Sequence, residues 1–402
     1  MSSDQRFKAL RYSLNLARLG VQRSMPRARK PLATGALHYG EQRLALPTFK
    51  TPWIRLKPIM SGICGSDLSL LQGASSPYLA PLTSFPMVPG HEIVAEVDEE
   101  GTPWPRGTTV VVEPSLSCAA RGLELCPMCK LKRPDACENR AHADLGPGLL
   151  LGFNHRMPGG WSERMWAPAS QVIAIPPQMS TRRAVLAEPA SIVDNALKQV
   201  DWTAVSTVLV IGAGTIGLLA TARLHDLRPD LTIAVRGRYT SQTTLARELG
   251  ASTVFDDAGD AQFLRSKSLD TWAGRALTAK FGAAPFRLEG FDLVIDAVGN
   301  RSSLRLGLGL TRPLGQLLLI GGAGEVSVDW TPLWSRQIKV VGSYGYGEDG
   351  VQTFRDVLTW LNVTPLPMDN LVTHQFRLDA FRQALQTSFH HESGAIKVVF
   401  TP

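Results

Sequence analysis

Long hydrophobic runs are missing from this sequence of 402 residues. Its longest apolar candidates, Val208–Ile211 and Leu317–Ile320, have the length of a strand, and each is followed by a glycine. A membrane-spanning helix needs about 20 apolar residues, so we expect no membrane span. The first residues also lack the compact apolar core and small-residue cleavage site of a secretory signal. We therefore expect a cytoplasmic protein.

Cysteine is scarce, with five residues in the whole chain, too few for a disulfide scaffold. Cys64 stands alone, and the other four crowd into the segment 118–137. A cluster of four thiols in a chain without an export signal favours a metal site. The four clustered residues are Cys118, Cys126, Cys129 and Cys137.

An excess of acidic charge is also absent, since the formal net charge is +7. Residues 1–30 carry eight basic residues against the single acid Asp4, which accounts for the entire excess. A basic arm is one way to bind nucleic acid. A solvated helix or a first strand explains the same charge, and no interleaved aromatic residues follow. We favour that second interpretation and do not expect a nucleic-acid partner.

The chain is long enough for two domains, because single domains run to about 100–200 residues. Residues 50–115 show short alternating runs broken by Gly and Pro, which predict an antiparallel, β-rich domain. From about residue 181 onward, strands and helices alternate, which predicts a parallel sheet covered by helices on both faces. The predicted fold class is α/β, with a doubly wound second domain.

A glycine-rich turn marks the start of this second domain. The motif GAGTIG at 212–217 follows the apolar strand Thr207–Ile211 and precedes an apolar helix, which is the context that gives G-x-G-x-x-G its meaning. The turn and the helix N-terminus then bind the pyrophosphate of a dinucleotide. The residues expected to contact the cofactor are Gly212, Gly214, Thr215, Ile216 and Gly217.

The end of the next strand bears on the choice between NAD and NADP. The strand Leu231–Val235 runs into Arg236, Gly237 and Arg238, where a carboxylate would accept the ribose hydroxyls of NAD. Guanidinium groups suit a 2′-phosphate because they give paired, charge-assisted hydrogen bonds. We predict that NADP(H) is preferred over NAD(H), through Arg236 and Arg238 and chiefly through Arg238.

Two fragments of the β-rich part carry metal-ligand chemistry. GICGSD at 62–67 contains Cys64, and PGHE at 89–92 contains His91 and Glu92. A thiolate, an imidazole and nearby carboxylates form the ligand set of a catalytic zinc with an open coordination position.

Together with VEP at 112–114, LAEPAS at 186–191 and DLVIDAVGN at 292–300, these motifs resemble those of the zinc-dependent medium-chain dehydrogenases/reductases, the alcohol dehydrogenase superfamily. The resemblance extends from about residue 50 onward. It implies a GroES-like catalytic domain formed by 1–195 and 341–402, with a Rossmann domain at 196–340. It also implies a homo-oligomer, a dimer or a tetramer.

The resemblance assigns roles to individual residues. Cys64 and His91 become ligands of a catalytic zinc, the third being a carboxylate or water, with Glu188 and Glu92 as the competing carboxylates. Asp67 orients His91. Ser66 places its hydroxyl against the substrate oxygen. Because Ser69 stands where many relatives have a relay histidine, the rest of the proton relay is expected to be shortened, altered or water-mediated. His155 is one candidate substitute.

A second, structural zinc is implied in the lobe 118–137, giving two zinc ions per chain. The family's first lobe cysteine is expected at position 123, which is Leu123 here, so the segment Ala119–Leu125 must bulge for Cys118 to join the other three thiolates.

The activity implied is hydride transfer between NADP(H) and a small alcohol or polyol, or the corresponding aldehyde or ketone. Two rivals stay open. A zinc-free quinone or enoyl reductase shares the fold, but Cys64, His91 and the lobe argue against it. A non-enzymatic zinc protein that binds nucleic acid through its basic arm requires the GAGTIG motif to be vestigial.

Overall fold

The structure is a computed structural model that describes residues 6–14, 36–43, 50–256, 259–277, 286–322 and 324–402. Its contacts divide the chain into two compact units. The first comprises residues up to Ser191 with Tyr346–Val363 and Val372–Pro402, and the second comprises Ile192–Gly345 with Thr364–Leu371. The domain limits predicted from the sequence, at residues 195 and 341, stay predictions.

The described strands are numbered along the chain. They are β1 Arg6–Tyr12, β2 Leu37–Arg43, β3 Trp53–Gly62, β4 Ile93–Val97, β5 Thr109–Val112, β6 Met165–Pro168, β7 Val172–Ala174, β8 Thr207–Ile211, β9 Thr232–Arg236, β10 Thr253–Phe255, β11 Phe291–Asp296, β12 Thr311–Leu319, β13 Lys339–Gly342, β14 Val372–Arg377 and β15 Lys397–Thr401.

The described α-helices are numbered in the same way. They are α1 Gly65–Leu71, α2 Cys118–Arg121, α3 Pro127–Lys130, α4 Thr181–Ala184, α5 Ala187–Leu197, α6 Thr215–Leu227, α7 Thr240–Glu248, α8 Asp260–Arg265, α9 Asp270–Ala273, α10 Arg301–Leu310, α11 Thr331–Ser335, α12 Gly350–Val363 and α13 Phe381–Phe389. Among the described residues, no helix has both the length and the apolar character needed to cross a membrane.

The first unit contains a seven-stranded sheet with the order β14-β15-β3-β4-β5-β7, and β6 also pairs with β3. The pairings of β3 with β4, β6 and β15 are all antiparallel. This confirms the β-rich, GroES-like part of the predicted fold. The core includes the fully buried Trp161, whose ring meets that of Phe400 edge to face with centroids 5.1 Å apart.

The described part of the basic N-terminal segment includes the strand β1, which pairs antiparallel with β2. Along this strand the basic Arg6, Lys8 and Arg11 are exposed, whereas the apolar residues between them are buried. Such alternation is that of a half-buried strand, in which successive side chains point to opposite faces. The rest of residues 1–30 lies outside the described residues, apart from Ser13 and Leu14.

The second unit is built on a six-stranded, fully parallel sheet with the order β10-β9-β8-β11-β12-β13. Strand β8 lies at the centre, and the chain moves outward on one side through β9 and β10 and on the other through β11, β12 and β13. This is the doubly wound order in which dinucleotides bind where the direction of winding reverses. The predicted Rossmann fold is confirmed.

Candidate metal centres and nucleotide site

Cys64 is positioned by the junction between a strand and a helix. Strand β3 ends at Gly62, and Cys64 directly precedes α1. The backbone N–H of Cys64 donates to Oδ2 of Asp67, a residue of the first turn of α1, over 3.0 Å. A carboxylate in this position stabilises a helix N-terminus, and here it also fixes the backbone that carries the thiol.

Cys64, His91 and Glu92 come together in the first unit. Their possible ligand atoms, one from each residue, all lie within 4.8 Å of one another. His91 and Glu92 are buried, and Cys64 is half-buried. One sulfur, one ring nitrogen and one carboxylate oxygen at this spacing fit a zinc ion that keeps one coordination position open.

Asp67 faces the same imidazole, as the sequence predicts. Its Oδ1 lies 3.7 Å from Nδ1 of His91, and neither of these buried atoms has a hydrogen-bond partner among the described residues. Burial raises the pKa of Asp67, whereas the pKa of His91 lies well above its usual value because the charges of Asp67 and Cys64 outweigh the opposing effect of burial. A metal at Nε2 would leave the proton on Nδ1, facing the carboxylate.

Glu92 forms an ion pair that the sequence analysis missed. Nζ of Lys397, on β15, lies 2.6 and 2.7 Å from the two carboxylate oxygens of Glu92 and also donates to the carbonyl of Ile63 over 3.3 Å. Both side chains are almost completely buried. Burial lowers the pKa of Lys397, but the charge of Glu92 outweighs it, so that the pKa is raised. The sequence offered one sign of this ion pair, a lysine directly before the apolar residues Val398, Val399 and Phe400 of β15.

Glu188, the competing carboxylate, lies in the first turn of α5 and is buried. Its Oε1 accepts a hydrogen bond of 2.6 Å from the hydroxyl of Tyr346, a second residue that the sequence analysis left without a role. Burial raises the pKa of Glu188 to about 7. Glu188 is electrostatically coupled to His91 but is not part of the compact cluster, which Glu92 joins.

Gly62 makes room for this arrangement. A Cβ atom at this position would overlap Oε2 of Glu92 and lie 2.8 Å from its carboxyl carbon. Ser66, the predicted substrate contact, is an exposed residue of the first turn of α1, two residues after Cys64. Cys64 therefore stands in the chain between Gly62, which packs against the buried carboxylate of Glu92, and Ser66, whose side chain is exposed.

One face of His91 is covered by residues 145–157, which we call the wall segment. The ring of Phe153 lies 5.5 Å from that of His91, centroid to centroid. A Cβ atom at Gly152 would approach the carbonyl oxygen of Gly90 to 2.8 Å, so the two backbones are in close contact. Nδ1 of His155 lies 2.8 Å from the hydroxyl of Ser84, which holds this candidate relay residue on the wall segment.

The four remaining cysteines form the predicted lobe, which we call the thiol lobe, 118–137. Their sulfur atoms all lie within 4.8 Å of one another, and the sulfur atoms of Cys118 and Cys137 are 3.5 Å apart. Backbone N–H groups of Glu138 and Asn139 donate to the sulfur atoms of Cys126 and Cys137, respectively. Four thiols at this spacing with N–H donors match a tetrahedral zinc–thiolate site.

The short helix α2 explains how Cys118 reaches the cluster although position 123 is a leucine. Cys118 begins this helix, and Gly122 ends it in the left-handed conformation with φ of 61°. Glycine adopts that conformation without steric cost. The extra residues are thus taken up by one helical turn, and Leu123 packs against the sulfur cluster instead of contributing a ligand.

The glycine motif of the second unit has the geometry of a dinucleotide turn. Gly212 has φ of 101°, and a Cβ atom at Gly217 would overlap the backbone of Gly212. At Gly214 a Cβ atom would meet nothing within 4 Å, which leaves open space beside the N-terminus of α6, where Thr215 and Ile216 form the first turn. A pyrophosphate fits there, at the positive end of the helix dipole.

Arg236, the last residue of β9, and Arg238, two residues further along, have different surroundings. Nη2 of Arg236 lies 3.0 Å from Oδ1 of Asp260, and its guanidinium carbon is 4.8 Å from the ring centroid of Phe263. Arg238 is exposed, with its guanidinium carbon 5.6 Å from the ring centroid of Tyr239. The backbone N–H of Gly212 donates to the carbonyl of Arg236, so the end of β9 lies beside the glycine turn.

Comparison with known proteins matches two family models to this chain. The alcohol dehydrogenase GroES-like domain covers residues 50–177, and the zinc-binding dehydrogenase model covers residues 216–362. An erythritol/L-threitol dehydrogenase of Mycolicibacterium smegmatis is 29% identical over 87% of this chain and 91% of its own length. A sorbitol dehydrogenase of Bombyx mori is 25% identical over 88% of this chain and 92% of its own.

Solved structures share the fold. A short chain alcohol dehydrogenase (rspB) of Escherichia coli CFT073, complexed with NADH, superposes with a TM-score of 0.73 at 24% sequence identity and covers 99% of each chain. The two family models together with the polyol dehydrogenase relatives show that the chain belongs to the zinc-containing medium-chain alcohol dehydrogenase superfamily.

Proposed function

We propose that this protein is a zinc-dependent, NADP(H)-preferring dehydrogenase that interconverts a polyol or another small alcohol with the corresponding carbonyl compound. The observation that carries this proposal is the cluster of Cys64, His91 and Glu92 within 4.8 Å, in a chain that also holds a dinucleotide turn. A zinc-free reductase on the same fold has no use for a half-buried sulfur beside a buried imidazole and a buried carboxylate at this spacing.

Two zinc ions per chain are proposed. Cys64 and His91 would hold one, with Glu92 as third ligand and Glu188 close enough to influence His91 electrostatically. The thiol lobe would hold the other through its four sulfur atoms. When bound, the catalytic zinc supplies Lewis acidity at the substrate oxygen, and the nicotinamide supplies or accepts the hydride.

Three side chains of the protein orient His91, compensate the charge of Glu92 and transfer the substrate's proton. Asp67 retains the proton on Nδ1 of His91 and fixes the ring. Lys397 balances the charge of Glu92, which would otherwise be an isolated buried carboxylate. The exposed hydroxyl of Ser66 accepts the proton that leaves the substrate hydroxyl and donates its own proton to solvent, which replaces the longer relay of many relatives.

The preference for NADP(H) is assigned chiefly to Arg238. Arg236 already donates to Asp260 and stacks on Phe263, whereas Arg238 is exposed two residues after the end of β9, which is bonded to the glycine turn. An exposed guanidinium offers a fork of N–H groups to a 2′-phosphate. No acidic residue follows β9 at 236–239 to accept the ribose hydroxyls of NAD.

A substrate panel tests the function. The purified protein is assayed with erythritol, xylitol, D-sorbitol and ethanol, each with NADP⁺ and with NAD⁺, before and after removal of metal with a chelator and re-addition of zinc. We expect NADP⁺-dependent oxidation of at least one polyol that is lost with the metal and regained with zinc. A quinone and an enone are assayed in parallel with NADPH, and a reduction of either that metal removal leaves unchanged would instead establish the zinc-free rival.

A further inference from the structure

Arg121, the last residue of α2, is a buried arginine whose hydrogen-bonding capacity is completely used. Its Nε donates to the carbonyl of Leu116 over 2.8 Å. Its four remaining N–H groups donate to further backbone carbonyls over 2.7–2.8 Å, those of Arg140, His142, Gly146 and Gly148. A guanidinium has five N–H donors, so each one is matched to a main-chain oxygen. A lysine, with three donors, cannot replace this set.

One end of this network lies in the thiol lobe. Helix α2 begins at Cys118 and ends at Arg121, so the thiol and the guanidinium belong to the same helical turn. Two of the acceptors, Arg140 and His142, follow closely after Cys137, the last sulfur of the lobe. The side chain of Asn139, which lies between Cys137 and Arg140 in the sequence, donates to the sulfur of Cys118 over 3.3 Å. The position of Arg121 is therefore set by how the lobe closes on its sulfur atoms.

The other end lies in the wall segment. Gly146 and Gly148, two acceptors of Arg121, belong to it. The side chain of Asn154 donates to the carbonyls of Leu145 and Pro147 over 2.8 and 2.9 Å, and its oxygen accepts from the N–H of Met157. These bonds connect the Arg121 network to the part of the segment in which Gly152 and Phe153 contact Gly90 and His91.

We propose that Arg121 is a positioning residue that couples the closed thiol lobe to the wall of the catalytic pocket beside His91. The roles of the lobe and the pocket in this statement rest on the proposed function. The coupling itself is a property of the polypeptide, because every link between Arg121 and Phe153 is a hydrogen bond or a contact within the first unit.

Amide hydrogen exchange tests the coupling directly. The metal content of the wild-type protein, Arg121→Lys and Arg133→Lys is measured first, and exchange is then followed in peptides of the wall segment. Arg133 is a matched control because its guanidinium pairs with Asp135 on the lobe, with side-chain contacts of 2.9–3.0 Å. We expect faster exchange at 149–157 in Arg121→Lys and a wild-type pattern there in Arg133→Lys.

Kinetics separate positioning from a general loss of stability. Arg121→Lys should raise KM for the best polyol of the panel by about tenfold, because the wall moves, and should leave KM for the nicotinamide cofactor and the zinc content unchanged. Wild-type exchange at 149–157 in Arg121→Lys, or faster exchange confined to 118–140, overturns the proposal. An equal rise in KM for both substrates also overturns it.

Cys129→Ser provides a second test if Arg121→Lys does not fold. Weakening the lobe at this sulfur should accelerate exchange at 149–157 with Arg121 in place, and unchanged exchange there contradicts the coupling. If the thiol lobe of the wild-type protein holds no zinc, only the proposed count of two zinc ions is refuted. The difference in amide exchange at 149–157 between Arg121→Lys and Arg133→Lys still tests the hydrogen bonds of Arg121.

Discussion

Nζ of Lys397 lies 2.6 and 2.7 Å from the two carboxylate oxygens of Glu92, and the two residues are 305 positions apart in the sequence. The ammonium group of Lys397, on β15, thus lies beside the cluster of Cys64, His91 and Glu92. A buried ion pair contributes little net stability because desolvation offsets the attraction, but removing one partner leaves an uncompensated charge. Lys397 therefore supplies a positive charge that compensates the buried carboxylate of Glu92 beside Cys64 and His91.

Replacing Lys397 by methionine should destabilise the protein strongly. The change leaves the buried carboxylate of Glu92 without a compensating charge. Breaking such a pair lowers the free energy of unfolding by about 3–5 kcal/mol. Urea unfolding of the apo protein measures the effect. The double variant Lys397→Met/Glu92→Gln, which removes both charges, should recover most of the loss. A single variant as stable as the wild type would show that Glu92 is not held as a buried anion by Lys397.

Gly62→Ala should disturb the metal centre without replacing any of its ligands. The added methyl group overlaps the carboxylate of Glu92, and overpacking of this kind costs about 1–3 kcal/mol. We expect lower stability together with weaker binding of the catalytic zinc, measured by chelator competition. Gly65→Ala is the matched control, because a Cβ atom there meets nothing within 4 Å. Equal zinc affinities in the two variants would contradict the packing argument.

Glu113 should make stability depend on pH. Its carboxyl is buried against Ser115 and Gln171, and burial raises its pKa above the usual 4.5. The native state then binds more protons than the unfolded state between 4.5 and the raised value, so this group's contribution to stability is lost as pH rises through that interval. Glu113→Gln should remove this dependence of stability on pH. Relative to the wild type, the variant should be more stable at pH 8 than at pH 5, by about 1 kcal/mol in the free energy of unfolding. Parallel curves of Tm against pH for variant and wild type would contradict this.

Arg238→Ala should change the choice of cofactor. Loss of the exposed guanidinium removes charge-assisted bonds to the 2′-phosphate, so the ratio of kcat/KM for NADPH to that for NADH should fall about 10- to 100-fold. Arg236→Ala should change this ratio much less, because Arg236 is paired with Asp260. Gly237 is unsuitable for an added carboxylate, since a Cβ atom there lies 2.6 Å from Cγ2 of Thr243. A ratio unchanged in Arg238→Ala removes the basis for NADP(H) preference.

The features readable from the sequence are those that local geometry demands. Gly212 and Gly217 are required by a turn and a close approach that follow directly from the strand–turn–helix pattern, and their φ angle and contacts agree with those requirements. The parallel sheet likewise follows from the alternation of strands and helices. Both depend on neighbours in the chain, which a sequence displays.

The features that the sequence did not reveal are pairings between distant residues. Lys397 reaches Glu92, Tyr346 reaches Glu188, and Arg121 holds carbonyls as far as Gly148. A single sequence shows which side chains can bond but not which ones meet. For the same reason the sequence leaves Glu92 and Glu188 as equal candidates for the third ligand, whereas the structure brings the carboxylate of Glu92 within 4.8 Å of the ligand atoms of Cys64 and His91.

Zinc analysis of Cys64→Ala, combined with an activity assay, tests the central claim most directly. The wild-type chain should contain two zinc ions. Cys64→Ala should retain only the one in the thiol lobe and lose polyol oxidation, because the substrate oxygen then has no Lewis acid. A variant that keeps both zinc ions, or that oxidises the polyol at the wild-type rate, would contradict the assignment of the catalytic centre to Cys64 and His91.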